Sequence, residues 1–347
     1  MRFLSKAGFV SLMAAFVMCA TPCMSEAVQL TYASNGPENT IRGVAEKIFL
    51  DELVIQSKGK IKVTPFWSST LLSASESLKG VQDGVVDMAF MNPDFFPKAL
   101  PFWCALALPV YGPTKGAELN ALYAELYEKI PAFKQEFTKF KQFPVYFFWS
   151  DSTSFTSRKP LNSVEQLKGV KARSASRWML EHLNALGATP VSVSWGDCYM
   201  ALQTGTIETV VTSVESQHRG KLYEVGPYLW VWEKMWMGTP LLITMNEKKF
   251  KKLDKELQDA IIRAGKVASE KFAQKFDNDM KDEIEAMAKA GAKVTYADDT
   301  AYAAWQSLPT CEGNIQTWLK EAKEDGVTDA DKIFAEIRSI VEKYVKK

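Results

Sequence analysis

Along this chain the apolar residues change period repeatedly. From Gln29 to Ser34 they alternate with polar ones, which predicts a strand running into the turn Asn35-Gly36-Pro37. From Thr40 to Gln56 the residues Ile41, Val44, Ile48, Phe49 and Leu53 recur at helical spacing. Ile61 to Phe66 reads as a strand, Leu78 to Gln82 as a helix, and Val85 to Met91 as a strand ending at Asn92-Pro93. Phe95 to Tyr111, rich in proline and aromatic residues, reads as packed loop; Ala117 to Lys129 predicts a helix and Phe143 to Trp149 a strand. The polar patch Ser150 to Ser157 has the composition of a crossover between lobes.

The stretch Pro160 to Ser213 alternates most regularly. A short strand (Val170 to Arg173) leads to a helix (about Ser176 to Leu186) and a Gly187-to-Pro190 turn. A short apolar strand, a helix from about Gly196 to Thr204 and a β-branched run, Thr206 to Thr212, follow. Such alternation predicts βαβ units on a mostly parallel sheet, whose ligands sit beyond the carboxyl ends of the strands. Arg173 closes its strand, and the next helix adds free N–H groups and the positive end of a dipole. Together they predict a place for an anion, with Arg177 one helical turn further on as a solvated residue.

Ser216 to Val225 then reads as helical, and the aromatic run Tyr228, Trp230, Trp232 and Trp236 follows. Pro240 to Asn246 predicts a strand returning to the first lobe. Between Lys248 and Ala290 there is no proline, and apolar residues from Leu253 to Met287 recur at three and four among dense charges. This predicts one long helix, or two in series; about 25 residues would span roughly 40 Å, enough to bridge two lobes. Lys293 to Tyr296 reads as a strand and the rest as helices.

A chain of 347 residues exceeds what one core usually holds, so two lobes are expected. The divisions predicted are 28–150 with 238–279 for the first and 151–237 with 280–347 for the second. Lys plus Arg number 42 against 41 Asp plus Glu, which gives no electrostatic case for nucleic acid. Residues 1–27 have a different character. Arg2 and Lys6 precede the apolar run Ala7 to Ala20, then Pro22 and the small residues Ser25 and Ala27, the order of a secretory signal cleaved after Ser25 or Ala27. The mature protein is therefore expected outside the cytoplasm. Cys104, Cys198 and Cys311, widely spaced, show no metal or disulfide pattern and read as free thiols. Only His182 and His218 are present, and no nucleophile elbow, zinc-protease motif, phosphate loop or dinucleotide fingerprint occurs. General acid–base chemistry has few candidates. No metal and no cofactor is expected, and a binding protein is favoured over an enzyme on the same architecture.

The runs LKGVKARSAS and LGATPVSVSWGDCYMALQTGTIE resemble the signature region of solute-binding proteins of TRAP (tripartite ATP-independent periplasmic) transporters, the DctP-like family. GKIKVTPFWSSTLLSASESLKGVQDGVVDMAF upstream and MNEKKFKKLDKELQDAIIRAG downstream are similar to that family in order and spacing, over nearly all of the mature chain. The resemblance implies an α/β, two-lobed periplasmic-binding-protein fold with hinge strands and a long helix spanning both lobes. It also implies a periplasmic protein, monomer or weak dimer, that traps an organic acid and passes it to the membrane subunits of a TRAP transporter; feeding a sensor is the alternative. The strand-end arginine of its KxR motif, here Arg173, holds the carboxylate. The aromatic wall position corresponds to Trp195, the position after the last strand to Thr212, and the ends of the first and third strands to Asn35 and Asn92. A second arginine of some members is replaced near Thr153, and the DG and QEN of the family become Glu208-Thr209 and Val210-Val211-Thr212. These departures bear on sugar-acid and C4-dicarboxylate ligands. With a Trp-rich second lobe and the large Trp195, they point to an aromatic or otherwise apolar monocarboxylate. Glu215 and His218 read as a solvated helix face.

Overall fold

The computed structural model describes residues 27–345 apart from 39, 109–111, 151 and 237, so the predicted signal lies almost wholly outside the described residues. Eleven strands form two sheets: β1 (Val28–Ala33), β2 (Ile61–Phe66), β3 (Met88–Met91), β4 (Gln142–Phe148), β5 (Thr153–Ser157), β6 (Lys171–Ser174), β7 (Thr189–Pro190), β8 (Thr209–Ser213), β9 (Tyr228–Val231), β10 (Leu241–Asn246) and β11 (Lys293–Tyr296). The first sheet has the order β2-β1-β3-β10-β4, the second β11-β9-β5-β8-β6-β7. Strands β1, β2 and β3 pair in parallel, as their helical crossovers require, while β10 enters antiparallel to both β3 and β4. The return of Pro240 to Asn246 to the first lobe is thus observed. The chain passes from one sheet to the other between β4 and β5, back between β9 and β10, and forward again along a long helix.

That helix is continuous from Lys255 to Lys289, 35 residues or about 52 Å. Asp254 caps it by accepting from Leu257 N, and no proline interrupts it. Its first half lies so close to β4 that a Cβ on Gly265 would stand 1.7 Å from Val145 O, which is why that position is glycine. Ser269 Oγ donates to Phe147 O at 2.8 Å. Its last turns leave this core: Ile284 and Met287 pack with Val214, Leu229 and Val231 of the second lobe.

Three elements depart from the sequence reading. The polar crossover Ser150 to Ser157 contains β5, a buried strand between β8 and β9, in which the Ser154 and Ser157 hydroxyls find partners while Thr156 Oγ1 has none among the described residues. Ser154 Oγ, for example, accepts from Trp232 N at 3.1 Å. The Pro-rich loop holds a short helix, Pro101–Ala105, with Phe102 and Trp103 buried. The C-terminal helices Pro309–Glu324 and Ala330–Val345 were assigned with 280–347 to the second lobe, yet Ile315, Trp318, Phe334 and Ile337 sit in the first core. Trp318 packs edge-on to Phe102, and its Nε1 donates to Pro101 O at 3.2 Å. The other side of helix Pro309–Glu324 meets the second lobe. Thr310 Oγ1 lies 2.7 Å from His182 Nδ1, Asn314 donates to Trp178 O, and Glu321 pairs with Arg177. Arg177 is therefore an ion-pair residue between helices. Cys104 and Cys198 are buried free thiols, and Cys311 is a half-buried one.

Glu136 anchors the short helix: its carboxylate accepts from Phe102 N at 2.7 Å and Trp103 N at 3.4 Å. Burial nevertheless pushes its pKa from the ordinary 4.5 up to about 8. Between those values the folded protein keeps a proton that the unfolded chain has released, so this group lowers stability as pH rises. Glu136→Gln should therefore flatten the fall in melting temperature between about pH 5 and 8; an unchanged slope would show that the carboxyl is ionised in the fold.

Candidate functional site

The carboxyl ends of β3, β4 and β8 converge between the two sheets, flanked by the long helix. Two adjoining cavities of about 180 Å³ each occupy this cleft. The first is walled by Arg42, Phe90, Phe95, Phe148 and Trp149 on the first lobe and by Thr212, Ser213, Glu215, Ser216 and Arg219 on the second. Phe272, Phe276, Asp279, Met280 and Glu283 of the long helix complete it. Its lining thus combines six aromatic rings with five charged side chains. The second cavity lies against Asp94, Thr153, Ser174, Ser176, Trp178, His182 and Trp236. Asn92, Phe95 and Thr212 line both.

Of the residues predicted from sequence, Asn92, Thr212 and Thr153 stand on these walls. Asn92 also serves its turn, its Oδ1 accepting from Asp94 N at 3.0 Å. Asn35, Arg173 and Trp195 do not line either cavity. Asn35 Oδ1 accepts from Arg42 Nη2 at 2.9 Å, so it positions a residue that does. Arg173 is not the terminal residue of β6; Ser174 follows and reaches the second cavity. Arg173 is only 6% exposed, and its Nε donates to Val193 O at 3.0 Å. No ion pair joins it to an acid among the described residues. Its guanidinium carbon lies 5.8 Å from the ring centroid of Trp195, and that of Arg219, a wall residue, lies 5.7 Å from the same centroid. One indole thus links Arg173 to the first cavity.

Sequence reasoning missed Arg42, Arg219 and the stripe of the long helix. Arg42 lies in the first turn of the helix Ile41–Gln56 that follows β1, well beyond the strand end, so the strand-end rule did not point to it. Its Nε lies 3.1 Å from Glu46 Oε1, and its guanidinium stacks 4.3 Å from the Phe90 centroid. Glu46 is fully buried, and burial raises its pKa even though Arg42 draws it down; Tyr32 Oη donates to it at 2.6 Å. The helix stripe (Phe272, Phe276, Asp279, Met280, Glu283) has the spacing of a core face, and nothing local distinguishes it from one. Glu215 lies on the cavity wall, contrary to its expected solvated face, and pairs with Arg219 at 2.9 Å.

Asp94 lines the second cavity, its Oδ1 accepting from Thr239 Oγ1 at 3.0 Å; desolvation raises its pKa to about 6, with that hydroxyl opposing. Burial lowers His182 to about 4, leaving it neutral at physiological pH. No group of three or more His, Cys, Asp or Glu residues among those described could hold a metal ion, and no described helix is long and apolar enough to cross a membrane.

Two α/β lobes, joined by crossing segments and enclosing a polar-and-aromatic cleft at their strand ends, define a solute-binding protein. The chain belongs to the bacterial extracellular solute-binding proteins of family 7 (DctP), whose family model matches residues 32–309. It is similar to the 2,3-diketo-L-gulonate-binding periplasmic protein YiaO of Escherichia coli K12, with 25% identity over 297 residues, 85% of this chain and 88% of that one. In fold it resembles a TRAP solute-binding protein of Rhodoferax ferrireducens solved with copurified benzoate (TM-score 0.80, 17% identity, covering 92% of this chain and 99% of that one). It is equally similar to a marine metagenome TRAP protein specific for aromatic acid ligands, solved with 3-hydroxybenzoate (TM-score 0.79, 23% identity, 92% and 99% covered).

Gly36 gives a direct handle on the cleft. A Cβ there would fall 1.7 Å from Arg42 Nη2, the movable end of a flexible side chain. Gly36→Ala should displace that guanidinium from Asn35 and weaken ligand binding by roughly 1–2 kcal/mol, the order of one lost polar contact. The melting temperature should change by no more than about 2–4 °C. Calorimetry and a thermal melt on the same sample would check both.

Proposed function

We propose that this protein captures a small organic carboxylate in the interlobe cleft outside the cytoplasm and delivers it to the membrane subunits of a TRAP-type transporter. The observation that carries the reading is Arg173: an arginine only 6% exposed, its Nε held by one backbone carbonyl and without an acidic partner among the described residues. A cation removed from water without a counter-charge is costly, and an arriving carboxylate supplies one in bidentate geometry. Trp195 packs between Arg173 and Arg219, which lines the first cavity, while Asn92 and Thr212 offer polar contacts from opposite lobes. A ligand touching both lobes at once favours the closed arrangement, because only differential contacts shift such an equilibrium.

The aromatic lining favours an aromatic or otherwise apolar monocarboxylate, and the ligands named for the Rhodoferax and marine proteins agree with that class. Residues 1–27 act in this reading as a cleaved export signal, and the receptor works as a monomer or weak dimer. No catalytic step is assigned to the cleft. The principal test is Arg173→Ala, which should cost about 2–5 kcal/mol of carboxylate binding by calorimetry, the range for removing one partner of a buried pair; unchanged affinity would sink the reading. A thermal-shift panel should show stabilisation by aromatic acids, and stabilisation by polyhydroxy sugar acids alone would remove the ligand class.

A further inference from the structure

We propose that Arg219 is a second carboxylate-binding arginine, which faces the cleft from the lobe that carries Arg173 and acts with Arg42 from the opposite lobe. The proposal rests on the carboxylate reading above and extends it to the contact that joins the lobes. Arg219 ends the helix Val214–Arg219, and its side chain lines the first cavity. Its Nε donates to Glu215 Oε1 at 2.9 Å, which orients the guanidinium plane. No hydrogen bond engages either Nη among the described residues, so that edge is available for two parallel bonds to a carboxylate.

Packing fixes the same side chain from another direction. Its guanidinium carbon lies 5.7 Å from the Trp195 centroid, and Gly220, the next residue, lets the indole pack against the backbone, since a Cβ there would stand 3.1 Å from Trp195 Cζ2. Arg173 packs near the same indole from outside the cavity lining, and both cations belong to the second lobe. Arg42 stands on the first-lobe wall of the same cavity, held by Asn35 and Glu46. A carboxylate has about four lone-pair positions, enough for guanidinium groups from both sides. Asp279 and Glu283 also face this cavity; Asp279 is paired with Lys275 at 2.5 Å. The long helix thus contributes no cation to this lining, and the arginine walls are the place for an anion.

Benzoate titrated calorimetrically into the full chain tests the assignment. Arg219→Gln should weaken binding roughly thirtyfold or more, and Arg219→Lys should recover little, because an ammonium does not reproduce the planar fork. Benzamide, uncharged and of the same shape, should bind both the unaltered and the Arg219→Gln protein weakly and alike. Thermal melts of each variant separate loss of fold from loss of contact. If the folded Arg219→Gln protein binds benzoate within about twofold of the unaltered one while Arg173→Ala does not, the Arg219 assignment is overturned and the Arg173 reading stands. Equal weakening toward benzamide would reduce Arg219 to a support for Trp195. Absence of benzoate binding by the unaltered protein would overturn the aromatic-acid class and this proposal with it.

Discussion

A guanidinium withdrawn from water with no acid beside it is the constraint on which the second lobe turns. Strand β6 carries Arg173 into a position only 6% exposed, and the nearest compensation is the carbonyl of Val193. Such an arrangement is unfavourable for a domain that merely has to be stable, since a buried charge is normally paired. It becomes sensible when the missing partner arrives from outside. Trp195 then packs against two guanidinium groups, that of Arg173 and that of the wall residue Arg219. Burial also makes the nearby thiol of Cys198 harder to ionise, against the opposing effect of Arg173.

The lobes are coupled through more than hinge segments. The long helix packs on the first core through Ala264, Ala268 and Phe272, and on the second through Ile284 and Met287. Its middle supplies the cleft wall, so ligand contact and interlobe geometry share one rod. Helix Pro309–Glu324 makes a second tie: Trp318 enters the first core, while Asn314 and Glu321 hold the helix that follows Arg173. Any relative movement of the lobes must therefore be accommodated at these polar contacts rather than in the apolar packing, which is dense and poorly deformable.

Much of this was legible beforehand. Strand and helix periods gave β1 to β4, the return of β10 and the uninterrupted long helix, because each of those elements buries one continuous face. Arg173 stood out because a βα junction directs strand-end residues toward a cleft, yet β6 runs one residue further and leaves it off both cavity walls. What stayed hidden has common physical causes. Strand β5 looked like a linker because its buried positions carry hydroxyls, and a partner such as Trp232 N for Ser154 Oγ comes only from the tertiary fold. The C-terminal helices showed which of their faces was apolar but not which core would receive it. Phe272, Phe276 and Met280 have core spacing whether they meet another helix or a cavity, and Arg219 acquires its place only through Trp195 and Glu215, distant or adjacent in ways that no period records.

The position of β10 has a further consequence, for the order in which the molecule can be completed. It lies between β3 and β4, yet it is encoded after the whole of the second sheet except β11. A nascent chain that has emerged as far as residue 240 therefore has a one-strand gap in the middle of its first sheet, with two unpaired edges and an unsealed core. The amino-terminal lobe matures late despite being made early, and the two halves must finish folding together.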